Sequence, residues 1–229
     1  MSIREKLDIS AYLVIGPENT ARPVEEVVAA AVGEGFTCVQ IRSKVASARE
    51  MISILEKSAR AINELGKSDS VALLVDDRLD IVLAARELGI KVDGVHVGQS
   101  DIPAEVCRKF LGTNSIVGLS ARTEDLIDYV KTADVSQIDY FGAGPLHKTE
   151  TKPDCGKTSD GKFITHDFDE IAQLVKVSPI PVVVGGGVKL KDIPALVATG
   201  VQGFFVVSAV ASADNLRLAA RELVNAWHK

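Results

Sequence analysis

The sequence has few cysteines, no long apolar run and no excess of positive charge, and each absence removes a class of protein. Its three cysteines form no CxxC pair, which argues against a disulfide framework or a zinc site and indicates a reducing compartment. No apolar run reaches the ~18 residues needed to span a bilayer, and the first ten residues contain no apolar signal core. The formal net charge of −5 argues against non-specific nucleic-acid binding. We therefore expect a cytoplasmic protein that binds neither membranes nor nucleic acid.

Familiar nucleotide and nucleophile motifs are also missing. No GxGxxG or Walker pattern occurs, so a bound nucleotide is not indicated. The histidines form no Ser/His/Asp or Cys/His arrangement. His96 is predicted to point into the molecule as a packed residue or a donor behind the site, His147 has no obvious partner, and His166 and His228 are predicted to be peripheral. We therefore expect no protein nucleophile.

Short β-branched runs alternate with amphipathic helical patterns along the whole chain. The near-continuous apolar strands are typical of a parallel sheet that is covered on both faces. Eight βα repeats in 229 residues predict a single (β/α)₈ TIM barrel domain over 1–229, with a long loop at 143–166. A doubly wound open sheet is the alternative. The predicted strands are 11–15, 37–41, 71–75, 92–97, 115–119, 138–141, 181–184 and 203–207, and the helices are 24–33, 47–65, 78–88, 103–110, 123–133, 167–175, 191–198 and 212–226.

In such a barrel the active site lies at the carboxyl ends of the strands, so the residues that follow each strand become the candidates. These residues are rich in charge, hydroxyl groups and glycine. In strand order from the second to the eighth they are Arg42 and Lys44; Asp76, Asp77 and Arg78; Gly98, Gln99 and Asp101; Ser120 and Arg122; the loop from Gly142; Gly185–Gly187; and Ser208.

The last two strand ends predict a phosphate site. Backbone N–H groups of Gly186 and Gly187, together with Ser208 at the start of the next helix, can surround a monophosphate. The loops after strands seven and eight commonly bind phosphate in this fold. The alternative is that the glycines only form a tight turn.

Three aspartates predict a divalent cation. Asp76, Asp77 and Asp101 follow adjacent strands, and their carboxylates suit Mg²⁺, which takes few protein oxygens and shares the rest with water and phosphates. As alternatives, Asp76 or Asp77 caps the helix that begins near residue 78, and Asp101 caps the helix at 103. Taken alone, each capping interpretation is favoured.

A basic set completes the pattern. Arg42, Lys44 and Lys152, with Arg122 as an addition, are suited to a diphosphate beside a magnesium site. The segment 142–152 (GAGPLHKTETK) places Lys152 beside two threonine hydroxyls, and it is interpreted as an anion-binding loop or, alternatively, as a solvated surface loop. A Schiff base on Lys44 or Lys152 is a further alternative that leaves the aspartates without a role.

These segments, in this order, resemble the thiamine phosphate synthase family. The resemblance covers about residues 12–210 and rests on VQIRSK (39–44), VDDRLDIVLA (75–84), DGVHVGQSD (93–101), IVGLSARTEDL (116–126), YFGAGPLHKTETK (140–152), IPVVVGGGV (180–188) and GFFVVSAV (203–210). It implies a transferase of thiamine biosynthesis on a (β/α)₈ barrel. The implied reaction joins 4-amino-2-methyl-5-hydroxymethylpyrimidine diphosphate to hydroxyethylthiazole phosphate, or its carboxylated form, and releases diphosphate by a dissociative, Mg²⁺-assisted substitution.

The resemblance also assigns roles to residues. Catalytic roles fall to Lys152, Ser120 and Arg42, and metal binding falls to Asp77 and Asp101. The substrate-binding set is Gln40, on the pyrimidine; Arg42, Lys44, Ser120 and Lys152, on its diphosphate; Asp76; Thr149 and Thr151, on the incoming thiazole or departing diphosphate; and Gly187, Val207 and Ser208, on the thiazole phosphate. The partners are thus small-molecule substrates, and a homo-oligomer is left open.

Two positions depart from the family pattern. Asp76 stands where the family usually has asparagine, and Arg122 stands where it usually has histidine. Asp76 adds negative charge beside the metal site, and Arg122 is a candidate for an extra diphosphate contact. The insert 153–166 is also longer than expected. The alternatives are a related thiazole tautomerase, whose proton-transfer histidine would stand at 122, and a non-catalytic ligand-binding relative.

Overall fold

Eight parallel strands close into a barrel in the computed structural model, which describes residues 2–149, 156 and 162–229. Each strand pairs in parallel with the next, and β1 pairs with β8 to complete the ring. The strands are β1 Ala11–Ile15, β2 Cys38–Ile41, β3 Ala72–Asp76, β4 Gly94–Val97, β5 Ile116–Ser120, β6 Tyr140–Ala143, β7 Val182–Val184 and β8 Gly203–Val206. The predicted (β/α)₈ fold is confirmed, and the open-sheet alternative is wrong.

Amphipathic helices cover the outside of the barrel. In α2 the buried side chains Met51, Leu55 and Ile62 recur at intervals of three to four residues or twice that, which places them on one face. The Ser47 hydroxyl accepts a hydrogen bond from the Glu50 N–H and starts that helix. The helices are α1 Val24–Gly33, α2 Ala48–Glu64, α3 Leu79–Glu87, α4 Ala104–Leu111, α5 Leu126–Thr132, α6 Phe168–Val177, α7 Ile193–Ala198, α8 Ser208–Ala211 and α9 Leu216–Trp227.

The helix predicted at 212–226 begins later than expected, at Leu216, and the short α8 precedes it. In the part of the chain that the structure describes, no helix combines the length and the apolar character needed to cross a membrane.

Alternation along the strands separates two cores. Outward-facing residues pack under the helices, whereas the inward-facing set forms a small apolar layer inside the barrel. Ile3 and Leu7, which precede β1, pack against this inner layer. Its buried members are Ile9, Tyr12, Val14, Cys38, Ala72, Leu74, Ile116, Tyr140 and Val183.

Nearer the carboxyl ends of the strands the interior becomes polar. Gln40, Asp76 and His96 are buried to 8% exposure or less and come from β2, β3 and β4. Two glycines leave room for this layer, because a Cβ on Gly118 would overlap the His96 ring and a Cβ on Gly142 would lie 3.0 Å from its Cε1. β6 runs to Ala143 because Gly142 and Ala143 pair with β5 and β7, whereas the sequence predicted a strand over 138–141 and placed Gly142 in the following loop.

Candidate active site

One cavity of about 1210 Å³ opens at the carboxyl ends of the strands and collects most of the predicted site. Thr151 and Lys152 lie outside the described residues, so their predicted positions remain predictions. The cavity is lined by the other predicted residues, namely Gln40, Arg42, Lys44, Asp76, Asp77, Asp101, Ser120, Thr149, Gly187, Val207 and Ser208.

Two ion pairs organise the ends of β2 and β3. The Arg42 Nε lies 3.0 Å from Oδ2 of Asp76, and the Lys44 ammonium pairs with the Asp77 carboxylate. Burial alone would lower the pKa of Lys44, but the hydrogen bond and the negative charge of Asp77 outweigh it, and the pKa is raised above its usual value. A cationic Lys44 is a poor Schiff-base nucleophile, so a Schiff base on Lys44 is not favoured, whereas Lys152 lies outside the described residues.

Asp77 and Asp101 form an electrostatically linked pair. Burial alone would raise the pKa of Asp77, but the hydrogen bond from Lys44 outweighs it, so the pKa is lowered. For Asp101, burial and then the neighbouring Asp77 carboxyl raise the pKa. Two carboxylates that disturb each other in this way are suited to sharing a cation.

The backbone holds these two aspartates in place without using them as helix caps. Asp77 has a φ of +60°, in the left-handed region, and its N–H donates to the His96 carbonyl at 2.8 Å. Asp101 Oδ2 accepts from the Gly98 N–H at 2.8 Å. The N-caps of α3 and α4 are Arg78 and Pro103, with no side-chain cap hydrogen bond. The capping interpretations are therefore wrong.

The protein groups available as ligands restrict which metal ion suits this site. Among the residues that the structure describes, no group of three or more His, Cys, Asp or Glu side chains is arranged to hold a metal ion. Two carboxylates fit a hard cation that takes most of its oxygens from substrate and water, as Mg²⁺ does. They do not fit a zinc site with a full set of protein ligands.

Gln99 links the loop after β4 to the end of β5 and to α5 by hydrogen bonds. Its Nε2 donates to the Ser120 carbonyl at 2.7 Å and to the Tyr129 hydroxyl at 2.8 Å. The Arg122 guanidinium lies over the Tyr129 ring, 4.7 Å from its centroid, and pairs with Asp125 at 2.6 Å. At the rim of the cavity, Arg122 thus interacts with Tyr129 and Asp125, which both follow β5 as it does.

Beneath the cavity, polar side chains form a continuous hydrogen-bonded series, which we call the inner chain. Its two tyrosines, Tyr12 and Tyr140, were not predicted from the sequence, although the alternation of side chains along β1 and β6 indicates that they face the barrel interior. The contacts run Ser120 Oγ–His96 Nε2 (2.9 Å), His96 Nδ1–Tyr140 hydroxyl (2.9 Å), Tyr140–Tyr12 hydroxyls (2.8 Å), Tyr12 hydroxyl–Gln40 Oε1 (2.9 Å) and Gln40 Nε2–Asp76 Oδ1 (2.5 Å). His96 therefore does lie inside the barrel as a hydrogen-bonding residue.

The loop after β7 is shaped by the loop after β6. Gly186 and Gly187 have φ values of +80° and +75°, which side chains rarely adopt. The carbonyls of Gly185 and Gly186 accept hydrogen bonds from Leu146 N (3.0 Å) and His147 N (2.9 Å). A Cβ on Gly187 would lie 2.9 Å from the His147 Cβ. These glycines therefore do more than form a tight turn, since they let the two loops pack directly.

This packing leaves donors for the cavity. Within the described ranges, the N–H groups of Gly186 and Gly187 and the Ser208 hydroxyl make no hydrogen bond. All three residues line the cavity on the side opposite β3, because β3 and β7 stand across an eight-stranded ring. The arrangement is suited to an anionic oxygen group.

Two histidines differ from expectation. His147 Nε2 lies 3.0 Å from Oδ2 of the buried Asp192, which also accepts from the Lys189 N–H, so His147 does have a partner. His166 is only 4% exposed and is not peripheral. Burial lowers the pKa of His166, and Glu170 partly opposes this effect. Both histidines connect the loop after β6 to neighbouring elements, and neither of them lines the cavity.

Fold and cavity together define a class: a (β/α)₈ barrel whose polar cavity lies at the carboxyl ends of the strands, where the enzymes of this fold carry their active sites. A family model described as thiamine monophosphate synthase matches residues 11–210. The chain belongs to this family, whose curated members among its relatives are named thiamine-phosphate synthase and are transferases.

Individual relatives extend the match to nearly the whole chain. The thiamine-phosphate synthases of Corynebacterium efficiens and Vibrio parahaemolyticus are each 36% identical to it; the alignments cover 98% and 93% of this chain and 98% and 96% of the relatives. A solved thiamine phosphate pyrophosphorylase from Pyrococcus furiosus superposes with a TM-score of 0.78 at 29% identity, covering 99% of this chain and 98% of that one. These comparisons give no support to the tautomerase or the non-catalytic alternative.

Proposed function

We propose that this chain joins 4-amino-2-methyl-5-hydroxymethylpyrimidine diphosphate to hydroxyethylthiazole phosphate, or its carboxylated form, and releases thiamine phosphate and diphosphate. The observation that carries the proposal is the division of one cavity into two unlike halves. Charged side chains from β2–β5 face glycine N–H groups and a serine from β7 and β8. Two substrates with different phosphate groups need two such halves.

The charged half suits the diphosphate. Arg42 and Lys44 supply positive charge for its oxygens, with Ser120 beside them, and Lys152 is proposed to join them from the loop after β6. Asp77 and Asp101 would hold Mg²⁺, which when bound neutralises charge on the diphosphate. Gln40, between these groups and the barrel interior, is proposed to contact the pyrimidine edge, with Asp76 behind it.

The glycine half suits the second substrate. The Gly187 N–H, the Val207 backbone and the Ser208 hydroxyl are proposed to bind the thiazole phosphate, whose charge does not change during the reaction. Thr149, at the cavity wall, and Thr151 are proposed to contact the incoming thiazole or the departing diphosphate.

The reaction needs no protein nucleophile. The bond between the pyrimidine methylene carbon and the diphosphate oxygen breaks, and its electron pair leaves with the diphosphate. The lone pair of the thiazole nitrogen then forms the new carbon–nitrogen bond. The protein holds both reactants in line and stabilises the negative charge that develops on the leaving group, which is where fixed charges contribute most.

A cytoplasmic location remains a prediction from the cysteine content.

One experiment tests the proposal directly. The purified chain is mixed with both substrates, with and without Mg²⁺, and released diphosphate and thiamine phosphate are measured together. We expect equal amounts of both products, and only with Mg²⁺ present. Isomerisation of the thiazole without diphosphate release would instead indicate a tautomerase, and binding without any product would indicate a non-catalytic protein.

A further inference from the structure

Phe205 places an aromatic ring on the wall of the cavity. It belongs to β8, lines the cavity and stays partly exposed. Among the described residues that line the cavity, Tyr12 and His96 also carry rings, but they are exposed by only 1% and 8% and are held in the inner chain by hydrogen bonds. Phe205 is therefore the most exposed ring on this wall.

Gly185, directly after β7, provides the space for the Phe205 ring. The pairing of β7 with β8 sets Gly185 beside Phe205. A Cβ on Gly185 would lie 2.2–2.3 Å from three ring carbons of Phe205, far inside van der Waals contact. Unlike Gly186 and Gly187, Gly185 has no left-handed φ, so its backbone conformation does not require glycine. The need to accommodate the ring explains the glycine.

The other side of the ring is also supported. Tyr12 of β1 meets Phe205 in an edge arrangement, with ring centroids 6.4 Å apart and an angle of 62° between the planes. Phe205 packs in addition against the apolar layer inside the barrel. The ring is thus fixed between β1 and β7, and its exposed part is presented to the cavity.

The ring lies below the proposed donors for the thiazole phosphate. Phe205 precedes Val207 by two residues and Ser208 by three, and two residues of a strand rise about 6.6 Å. The wall at this depth is apolar, because Val14 and Val183 line the cavity from β1 and β7, the strands on either side of β8. A ring joined to its phosphate by a two-carbon arm would reach this wall while the phosphate stays at Ser208.

We infer that Phe205 is a specificity-determining residue whose ring packs against the thiazole ring of the second substrate, and that Gly185 keeps the space for it. This inference rests on the proposed function and deepens it, because it supplies the apolar contact that phosphate donors do not. Two aromatic rings stabilise each other beyond the apolar area that they bury. The glycine half therefore selects a heteroaromatic phosphate over a phosphate ester without a ring.

The test measures the dissociation constants of three probes by titration calorimetry, each added alone so that no reaction occurs. Hydroxyethylthiazole phosphate carries the ring, and ethyl phosphate carries the arm and the phosphate without it. The third probe, 4-amino-2-methyl-5-hydroxymethylpyrimidine monophosphate, reports on the charged half. Phe205→Leu keeps an apolar side chain but removes the flat ring. We expect thiazole phosphate to bind about 3- to 10-fold more weakly, as the loss of an aromatic pair implies, and the other two probes to stay within about twofold.

Phe204→Leu is the matched control. Phe204 is the preceding residue of the same strand, but it faces outward, is fully buried and packs against Phe36 and Trp227 at centroid distances of 6.0 and 5.4 Å. It does not line the cavity. The same chemical change there should lower the thermal stability and leave the binding of all three probes within about twofold.

Gly185→Ala tests whether the glycine serves the ring. In the wild-type background its Cβ displaces Phe205, and we expect thiazole phosphate to bind about tenfold more weakly or worse. In Phe205→Ala the space is empty, so the added Gly185→Ala should weaken binding by no more than about twofold. Equal losses in both backgrounds would overturn the inference, because Gly185 would then act through its loop and not through Phe205.

The remaining outcomes separate this inference from the proposed function. Unchanged thiazole binding in Phe205→Leu, or a loss confined to the pyrimidine probe, overturns the inference while diphosphate release by wild type still supports the proposed function. An equal loss of ethyl phosphate overturns it as well, since the phosphate donors would then have moved, and so does an equal loss in Phe204→Leu. If wild type neither binds thiazole phosphate nor releases diphosphate, the proposed function fails and the inference fails with it.

Discussion

The two halves of the cavity are built from different kinds of polar group. In the half formed by β2–β5, charged side chains such as Lys44 and Asp77 are paired with each other. In the half formed by β6–β8, the donors are backbone groups whose position depends on left-handed glycines at 186 and 187. The first half therefore depends mainly on the charges of its side chains, whereas the second depends almost wholly on backbone shape.

The difference matches the chemistry proposed for each half. Charge develops on the leaving diphosphate during the reaction, so fixed charges near it stabilise the transition state more than the substrate. The thiazole phosphate keeps its charge, so contacts with it contribute equally to the ground state and the transition state. We therefore expect changes in the charged half to lower kcat, and changes in the glycine half to raise one KM.

The largest expected effect is in the charged half. Asp101→Ala removes one of the two carboxylates proposed for Mg²⁺, and we expect kcat/KM to fall by about 10³-fold or more, since a catalytic metal ion is worth several kcal/mol. Diphosphate release is measured over a range of Mg²⁺ concentrations, and circular dichroism checks the fold.

Asp80→Ala is the matched control for this variant. Asp80 is an exposed carboxylate that pairs with Arg78 in the first turn of α3, and it does not line the cavity. Its removal should leave turnover and Mg²⁺ dependence near wild type. Unchanged turnover in Asp101→Ala would remove the basis for the metal assignment.

A smaller effect is expected from the backbone of the other half. Gly187→Ala forces a side chain into a left-handed conformation and against His147, so the packing of the two loops must shift. We expect the KM for thiazole phosphate to rise about 10- to 100-fold, because a shifted backbone N–H loses a hydrogen bond to a charged group, which is worth about 1.5–3 kcal/mol. We also expect a loss of roughly 1–2 kcal/mol in the free energy of unfolding.

Gly200→Ala separates strain from site geometry. Gly200 has a similar φ of +78°, but an added Cβ meets its nearest atom only at 3.8 Å, outside the cavity. It should lose similar stability in thermal unfolding while both KM values stay unchanged. If Gly200→Ala raised the thiazole KM as much as Gly187→Ala, the loop geometry would not be the cause.

The smallest effect is expected from Ser208→Ala. The hydroxyl is one of several donors, so we expect the KM for thiazole phosphate to rise about tenfold and the KM for the pyrimidine to stay within about twofold. Ser212→Ala, one turn further along and exposed, is the control. Equal effects of Ser208→Ala on both substrates would count against a phosphate at the end of β8.

The residues of the charged half were predictable from the sequence, but the contacts between them were not. Strand-end position alone selected Arg42, Lys44, Asp77 and Asp101, because parallel strands of a barrel bring their carboxyl ends to one face. Capping was the favoured interpretation of each aspartate taken singly, and it was wrong because the side chains have other partners: Asp77 pairs with Lys44, and Asp101 accepts from the Gly98 N–H.

Packing between loops could not be predicted in the same way. The contacts of His147 with Asp192 and of Gly187 with His147 join residues from different βα units. The parallel pairing of β6 with β7 brings those two units together. The extension of β6 through Gly142 also depends on neighbouring strands, because Gly142 pairs with Ser120 of β5 and Ala143 pairs with Val184 of β7.

The sequence by itself determined the barrel, the face that carries the site and the residue types on it, because hydrophobic alternation and strand-end position are local properties. Only the tertiary structure decided which groups pair. Tyr12, Tyr140, His96, Gln40 and Asp76 come from five strands, and their hydrogen bonds exist only inside the closed barrel.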